Sequence, residues 1–544
     1  MTLERVRSQS FETLGASPLF RDYVAQRESA ASFYAHRLTA DGRADAARLA
    51  ADAATRRGTR DIVADVIVEQ NASWGVSDST LAMVDQLRRP DAVAVVTGQQ
   101  LGLFGGPLYT VYKARTAVRR ARQLHEATGW PAVPVFWLAD EDHDFAEIQH
   151  ASFARGEETL RATYDDGLPP DVNRGAVGRL VLDKRATETV LRQLDEALPE
   201  GPYRQRAMEI ASQAYVPGRS MRDAFARLLA RLVPDIVLMS ADDARLKRLA
   251  LPLFEQEATS WSRTFEVLSD RSEALVEAGY HAQVGPSPLN LFRLTDRARV
   301  PLDPAGEEVE MRGTEEAMSA SEFEQLVRQS PESISPNVVL RPLLQDTLLP
   351  TAAYVAGPGE AAYFAQLEPV YEAFDVPMPV IEPRLSLTIV DPGVAKVLDR
   401  YDLDLAAIRA DVDALWRRLA LDASDVDLEH AFGAARGSLD SVFESLTPDV
   451  TAVDTELARA LGAARQKSRN ALDRLLTKTV RLEKRNHDVV RQRLARAHAA
   501  LWPGAPQERV VGPLQVVARL GVEGMSELID GLPLDASVHH VVWT

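Results

Sequence analysis

At 544 residues, with 46% hydrophobic and 26% charged side chains, the chain is long enough for three or four units of roughly 150 residues around a large core, which excludes a disordered or fibrous protein. The absence of cysteine excludes disulfides, a thiolate nucleophile and Cys-ligated metal centres, and leaves oxygen and imidazole as the available metal ligands. A net charge of −17 opposes nucleic acid as a general partner. No run approaches the roughly 18 unbroken apolar residues of a membrane span, and the opening MTLERVRSQSF lacks the apolar run of a signal peptide. A cytoplasmic protein without a membrane partner is expected.

In chain order, the first ninety residues read as helices: YVAQRESAASFYAHRL and DAARLAADAATRR space their apolar residues by three and four, and should cover a sheet. Ala92–Val96 (AVAVV) announces that sheet. A glycine-rich loop, a helix from Leu108 to about Ala127 and a second strand at Pro134–Leu138 complete a βαβ unit, whose crossover should be right-handed. Asp235–Met239 predicts another strand, ending in Ser240-Ala241-Asp242-Asp243. A second βαβ unit follows far downstream: a strand at Leu348–Val355, a turn at Gly357–Glu360, a helix at Ala361–Phe374 and a strand at Met378–Ile381. Open α/β sheets bind ligands where loops converge at the strands' carboxyl ends, so one site built from both halves is expected.

The remaining segments organise around this core. Residues 1–160 read as its first half with N-terminal helices, 161–234 and 262–335 as insertions or lids, 235–261 as a core strand and helix, 336–395 as the second half, 396–502 as a helical coiled coil, and 503–544 as a return to the main body. Leu457, Leu461, Ala464, Ser468, Ala471, Leu475, Leu482 and Val489 form a nearly regular 3-4 seam, and predict a helix near fifty residues long that needs a partner. Between Thr451 and Trp502 twelve Lys or Arg stand against five Asp or Glu. Such a basic helix is either a solvated face or an anion-binding one.

Three clusters carry chemistry. TGQQLGLFGGPLYTVYK (Thr97–Lys113) places Gly98, Gly102, Gly105 and Gly106 just past a strand, with Gln99, Gln100, Tyr109 and Lys113 around them. Glycines let backbone approach a ligand and a helix start offers an anion site, although the pattern is neither a dinucleotide fingerprint nor a P-loop. The bland alternative is a tight packing turn. Glu141-Asp142-His143-Asp144 follows the second strand and offers a general base, cation ligands and acceptors for a substrate ammonium. Its alternative is an acid-rich helix start, and Asp242 and Asp243 could likewise be caps. Arg341, Gln345 and Asp346 lead into the second unit, Tyr354, Gly357, Gly359, Glu360 and Tyr363 flank its crevice, and Arg384 follows its last strand. Arginine grips a carboxylate or phosphate with two parallel hydrogen bonds, and Arg341 and Arg384 read as holders of an anionic group or as structural ion pairs.

At TGQQLGLFGGPLYTVYK and FWLADEDHDFAEI the sequence resembles the BshC family, assigned as cysteine ligases of the last step of bacillithiol synthesis. The likeness continues in SPNVVLRPLLQD (Ser335–Asp346), AAYVAGPGEAAYFAQL (Ala352–Leu367) and Gln507-Glu508-Arg509. Family members often carry an asparagine shortly after that last motif, where this chain has Val510-Val511-Gly512-Pro513. The resemblance implies a Rossmann-like core similar to nucleotidyltransferases and class I aminoacyl-tRNA synthetases, with connective insertions and a coiled coil for homodimerisation. It also implies an enzyme joining the carboxylate of cysteine to the amine of glucosaminyl-malate. Because a free carboxylate forms amides poorly, activation by ATP with Mg²⁺, through an adenylate or acyl phosphate, is the natural expectation; no tightly bound metal is. Neither H-I-G-H nor K-M-S-K-S occurs. On this reading His143 is the base that deprotonates the attacking amine, with Glu141, Asp142 and Asp144 steering it. The rival readings are a metal-dependent hydrolase with Asp142, His143 and Asp144 as ligands, and a coiled-coil scaffold without catalysis.

Overall fold

Along the strand Val93–Gln99 (β1), Val93 and Val95 enter one hydrophobic core while Ala94 and Val96 enter another. A strand buried on both faces must be apolar throughout, which is why it reads as a continuous run. The computed structural model that shows this describes residues 5–170, 172–295, 298–409, 411–423, 428–535 and 537–544. Two units emerge, one from residues up to Arg155, Thr159–Val390 and Pro503–Thr544, the other from Gly156–Glu158 and Asp391–Trp502.

In the first unit β1 is the centre of a five-stranded parallel sheet. The helix Tyr109–Thr128 (α1) connects it to Ala132–Leu138 (β2), which pairs with Val237–Ser240 (β3). On its other side β1 pairs with Thr351–Ala356 (β4), preceded by the helix Leu340–Leu348 (α2) and followed by Pro358–Ala373 (α3) and Val380–Pro383 (β5). The order β5-β4-β1-β2-β3 is the Rossmann arrangement, and it reverses direction between β1 and β4. A crevice opens at such a point. The helices Ala40–Arg57 and Arg60–Trp74 cover the sheet, the first as its spacing predicts: Ala47 and Ala51 enter the first core, Val63 and Ile67 the second. The other stretch read as a helix, Tyr23–Leu38, is not one: a helix ends at Val24, Glu28–Ala31 makes a single turn, and turns and bends follow.

Further features depart from the sequence pattern. Arg5–Ser10, inside the stretch read as wholly helical, is a strand: it pairs antiparallel with Val538–Trp543, which pairs parallel with Leu387–Val390. Its side chains are mostly exposed, so no apolar alternation marks it. Leu348 ends α2 and the strand begins only at Thr351, after Pro350. Residues 161–234, read as an insertion or lid, contribute to the core of the first unit. The helix Met221–Leu232 buries Phe225, Leu228 and Leu229 in the first core, with Phe225 packed 6.1 Å from Phe136 of β2. The second insertion contains a five-stranded antiparallel sheet, including Leu291–Leu294, Arg299–Ala305 and Ile334–Pro336, that delivers side chains to the crevice.

The second unit is helical. Leu428–Val453 (α4) and the 45-residue Leu457–Leu501 (α5) run antiparallel, clasped by Arg436 with Asp473, Arg469 with Asp440, and Arg465 with Asp440 at 2.8 Å and Glu444 at 3.1 Å. The long helix thus pairs with the segment before it. Leu461 and Ser468 of the expected seam are half-buried, whereas Leu457, Leu475 and Val489 stay exposed; the side chain of Leu482 lies outside the described residues. Among the described residues no helix is long and apolar enough to cross a membrane.

Candidate active site

A cavity of about 1000 Å³ lies in the first unit at the carboxyl ends of β1, β2 and β4, where the reversal of strand order predicts one. Its centre is Lys113, one turn into α1 and 2% exposed. The ammonium group donates to Gly98 O at 2.8 Å and Gln99 Oε1 at 2.9 Å, and is ion-paired with Glu360. Glu360 sits in the first turn of α3, where it accepts from Gly357 N at 2.8 Å and Tyr354 Oη at 2.7 Å. Burial opposes its ionisation, yet Lys113 and these donors hold the carboxyl below the ordinary range. Gln99 Nε2 donates to Tyr109 Oη at 3.2 Å, and burial pushes that phenol up to about 12.

The glycines divide. Gly98 lines the cavity, and a Cβ there would lie 2.9 Å from Trp137 O, so glycine lets β1 and β2 approach. Gly357 and Gly359 also line it. Gly102, Gly105 and Gly106 do not. They form a packed turn in which Gly105, at φ +94°, abuts Leu228 and Pro513. For these three the packing alternative describes the structure.

Arg341 also lines the cavity. Its guanidinium donates to Gln345 Oε1 and Tyr363 Oη, each at 3.2 Å, and lies 5.6 Å from the Tyr354 ring centre. No carboxylate lies within ion-pair distance of it among the described residues. Gln345 and Asp346 sit behind it, off the cavity: Gln345 donates to Asp346 at 2.8 Å, and Tyr371 donates to Asp346 at 2.6 Å. Burial pushes Asp346 up to about 6. Arg384 lines the cavity but is already gripped, donating to both oxygens of Glu508 at 2.9 and 2.7 Å. Glu508 also accepts from Ser386 Oγ at 2.9 Å and Leu387 N at 3.1 Å. The structural ion pair is therefore what the structure shows at Arg384.

The acidic cluster is likewise partitioned. Glu141 lines the cavity and pairs with buried Lys247. Asp142 accepts from Gln100 Nε2 at 2.7 Å and faces Arg299 at 3.5 Å. Burial resists its ionisation, but His143 and Arg299 keep its carboxyl low. Asp144 caps the short helix Phe145–Ile148 through Glu147 N at 3.0 Å, the helix-start role. His143 stands beside the cavity lining with Nδ1 3.3 Å from Asp142 and 3.2 Å from Arg299. Asp242 is paired with Arg179, and Asp243 caps Ala244–Leu249. Among the described residues no group of three or more His, Asp or Glu is arranged to hold a metal, so the hydrolase ligand set is not assembled.

Sequence reasoning missed Arg299, which no motif marks, and Asp140, which completes β2's exit ahead of the noticed acids. It noticed Gln507-Glu508-Arg509 without a role; Arg509 lines the cavity, and Gln507 pins Ile389 through both its amide atoms at 2.8 and 2.9 Å.

Residues 1–385 match the family model for the bacillithiol biosynthesis BshC N-terminal Rossmann-like domain, and 387–543 that for the BshC C-terminal coiled-coil domain. The chain belongs to the BshC family. It is 42% identical to a relative from Salinibacter ruber over 97% of both chains, 35% to one from Koribacter versatilis over 94% of both, and 32% to one from Chloroherpeton thalassium over 91% of both. Each of these BshC proteins bears the name "Putative cysteine ligase BshC".

Proposed function

We propose that this BshC-family chain is a cytoplasmic ligase that joins the carboxylate of cysteine to the amine of glucosaminyl-malate, forming an amide. The family membership supplies the reaction class. The observation that carries the substrate assignment is Arg341: a half-buried guanidinium lining the cavity without a carboxylate partner among the described residues is suited to a malate carboxylate or a phosphate. Arg509, at the mouth, adds a second cation.

These two arginines also fit the phosphates of a nucleotide. ATP with Mg²⁺ would supply carboxylate activation, the ion arriving on the phosphates, since no metal-ligand cluster is assembled among the described residues. The chain's own groups orient and deprotonate. An amine attacks only as the free base, and His143 is the proposed acceptor of its proton. A neutral imidazole has one donor and one acceptor nitrogen. If Nδ1–H faces Asp142, Nε2 is the free base; if Nδ1 accepts from Arg299, Nε2 carries the proton and the ring is idle. Catalysis requires the first tautomer.

The proposed assembly is a homodimer through the second unit, supported by the apolar positions of α4 and α5 that their mutual packing leaves exposed, Val442, Leu446, Leu457 and Leu475 among them. The deciding experiment is product formation from cysteine and glucosaminyl-malate, with and without ATP and Mg²⁺. Amide product only with both would support the reading; no product under any condition would reject it.

A further inference from the structure

Of the carboxylates leaving β2, Glu141 is paired with Lys247, Asp142 is engaged by Gln100 and Arg299, and Asp144 caps a helix. Two acceptors are left over. Asp140 is 1% exposed and lines the cavity; its Oδ2 accepts from Ser240 Oγ at 2.6 Å and faces Arg222 at 3.5 Å, whereas Oδ1 is buried without a hydrogen-bond partner. Gln100 lines the same cavity, and its Oε1 is also buried without a partner. The orientation of that amide is fixed, because the Asp142 carboxylate is an acceptor and must face the NH₂ group.

A buried acceptor without a donor costs free energy. Two of them on one cavity call for a group that only donates. A primary ammonium has three N–H donors and no acceptor, and its charge suits Asp140. We propose that Asp140 and Gln100 form a subsite for the primary ammonium group of a substrate. Only the choice of substrate rests on the ligase reading: the α-ammonium of cysteine or the amino group of the glucosamine unit. The surroundings agree with the geometry. Burial pushes Asp140 up to about 7, Asp242 and Glu141 add to the rise, and Arg222 and Ser240 oppose it. An arriving cation would favour its charged form, so binding near neutral pH would release a proton.

The test is calorimetric titration of the full chain at pH 7 with two ligand pairs: L-cysteine against 3-mercaptopropionate, and glucosaminyl-malate against its N-acetyl form. One member carrying the ammonium should bind tighter than its counterpart, and that pair identifies the source. Asp140→Asn and Gln100→Met should each weaken that ligand, by on the order of 10- to 100-fold for Asp140→Asn, and leave the counterpart unaffected. If Asp140→Asn does not fold, by circular dichroism, Gln100→Met decides alone. Equal binding within both pairs, or a preference that survives both variants, would overturn the subsite and assign the two acceptors to a buried water. Turnover is measured separately on the unaltered chain. An ammonium preference lost in the variants without any ligase product would keep the subsite and reject the ligase reading; product without a preference would do the reverse.

Discussion

Lys113 and Glu360 form an ion pair across the reversal point of the sheet, joining the helix that follows β1 to the helix that follows β4. Each also binds its neighbour's backbone: Lys113 donates to Gly98 O, and Glu360 accepts from Gly357 N. The pair thus sets the separation of the two βαβ halves at the floor of the cavity.

Removing one partner leaves the other uncompensated in a largely dry place. Lys113→Met should therefore cost about 3 kcal/mol by urea denaturation, the lower part of the range for buried pairs, because Glu360 retains some access to the cavity. The double variant Lys113→Met with Glu360→Gln should recover most of that loss. A double variant as unstable as the single one would show that the packing of the lysine stem, and not charge, is what matters.

A second prediction concerns acid stability. His539 is fully buried, with Nδ1 2.8 Å from Ser386 Oγ and Nε2 2.9 Å from Thr388 Oγ1. Burial pushes it down from 6.5 to about 4. Between those values the unfolded chain binds a proton that the folded chain refuses, so stability rises with pH across the window, is complete above 6.5 and is lost as pH falls toward 4. The full effect is about 3 kcal/mol. Denaturation curves from pH 4 to 7.5 should show this slope, and His539→Gln should flatten it. Glu508, held low by Arg384 against the opposing effect of burial, contributes stability that is lost only below the ordinary carboxylate range, so the two windows separate.

What the sequence reveals here follows from the range of the forces involved. The parallel sheet is legible because a strand covered on both faces must be apolar at every position, as Val93–Val96 and Val133–Leu138 are. The strand Arg5–Ser10 is not, since its stability comes from pairing with Val538–Trp543 at the other end of the chain. Site residues behave the same way. Tyr109, Lys113 and Glu360 stand in the helix starts that follow recognisable glycine-bearing strand ends, whereas Arg299 reaches Asp142 from an antiparallel sheet in the second insertion. That Arg384 is occupied by Glu508, 124 residues later, is a tertiary fact no local pattern encodes.

That difference separates the two arginines experimentally. Arg341→Lys keeps the charge but loses the planar fork that meets Tyr363, Gln345 and an incoming anion. It should raise KM for glucosaminyl-malate by on the order of tenfold with little change in Tm. Arg384→Lys breaks the two-pronged grip on Glu508 and should chiefly lower Tm. Unchanged KM in Arg341→Lys would remove it from the substrate site.

The exposed apolar positions of α4 and α5 make a prediction about assembly. Light scattering on the full chain at micromolar concentration should give twice the 59.8 kDa chain mass, and Leu475→Glu, at a position 53% exposed, should shift it toward the monomer without lowering Tm. A monomer at that concentration in the unaltered protein would reject the homodimer.

The role of His143 is tested through its two neighbours. Its Nδ1 is 3.3 Å from Asp142 and 3.2 Å from Arg299, and only the Asp142 partnership leaves Nε2 able to accept a proton. His143→Ala should fold normally, because its side chain is 40% exposed, yet lose on the order of 10²- to 10⁴-fold in kcat. Asp142→Asn should lose part of that rate, since an amide can present its NH₂ to Nδ1 and hold the idle tautomer. Arg299→Met removes the competing donor, so the fraction of productive tautomer should rise unless the lost support of Asp142 displaces the ring. A decrease in kcat for His143→Ala that added imidazole restores would establish the base. A folded His143→Ala variant with unaltered kcat would transfer proton removal to another group and leave the acidic turn a binding role.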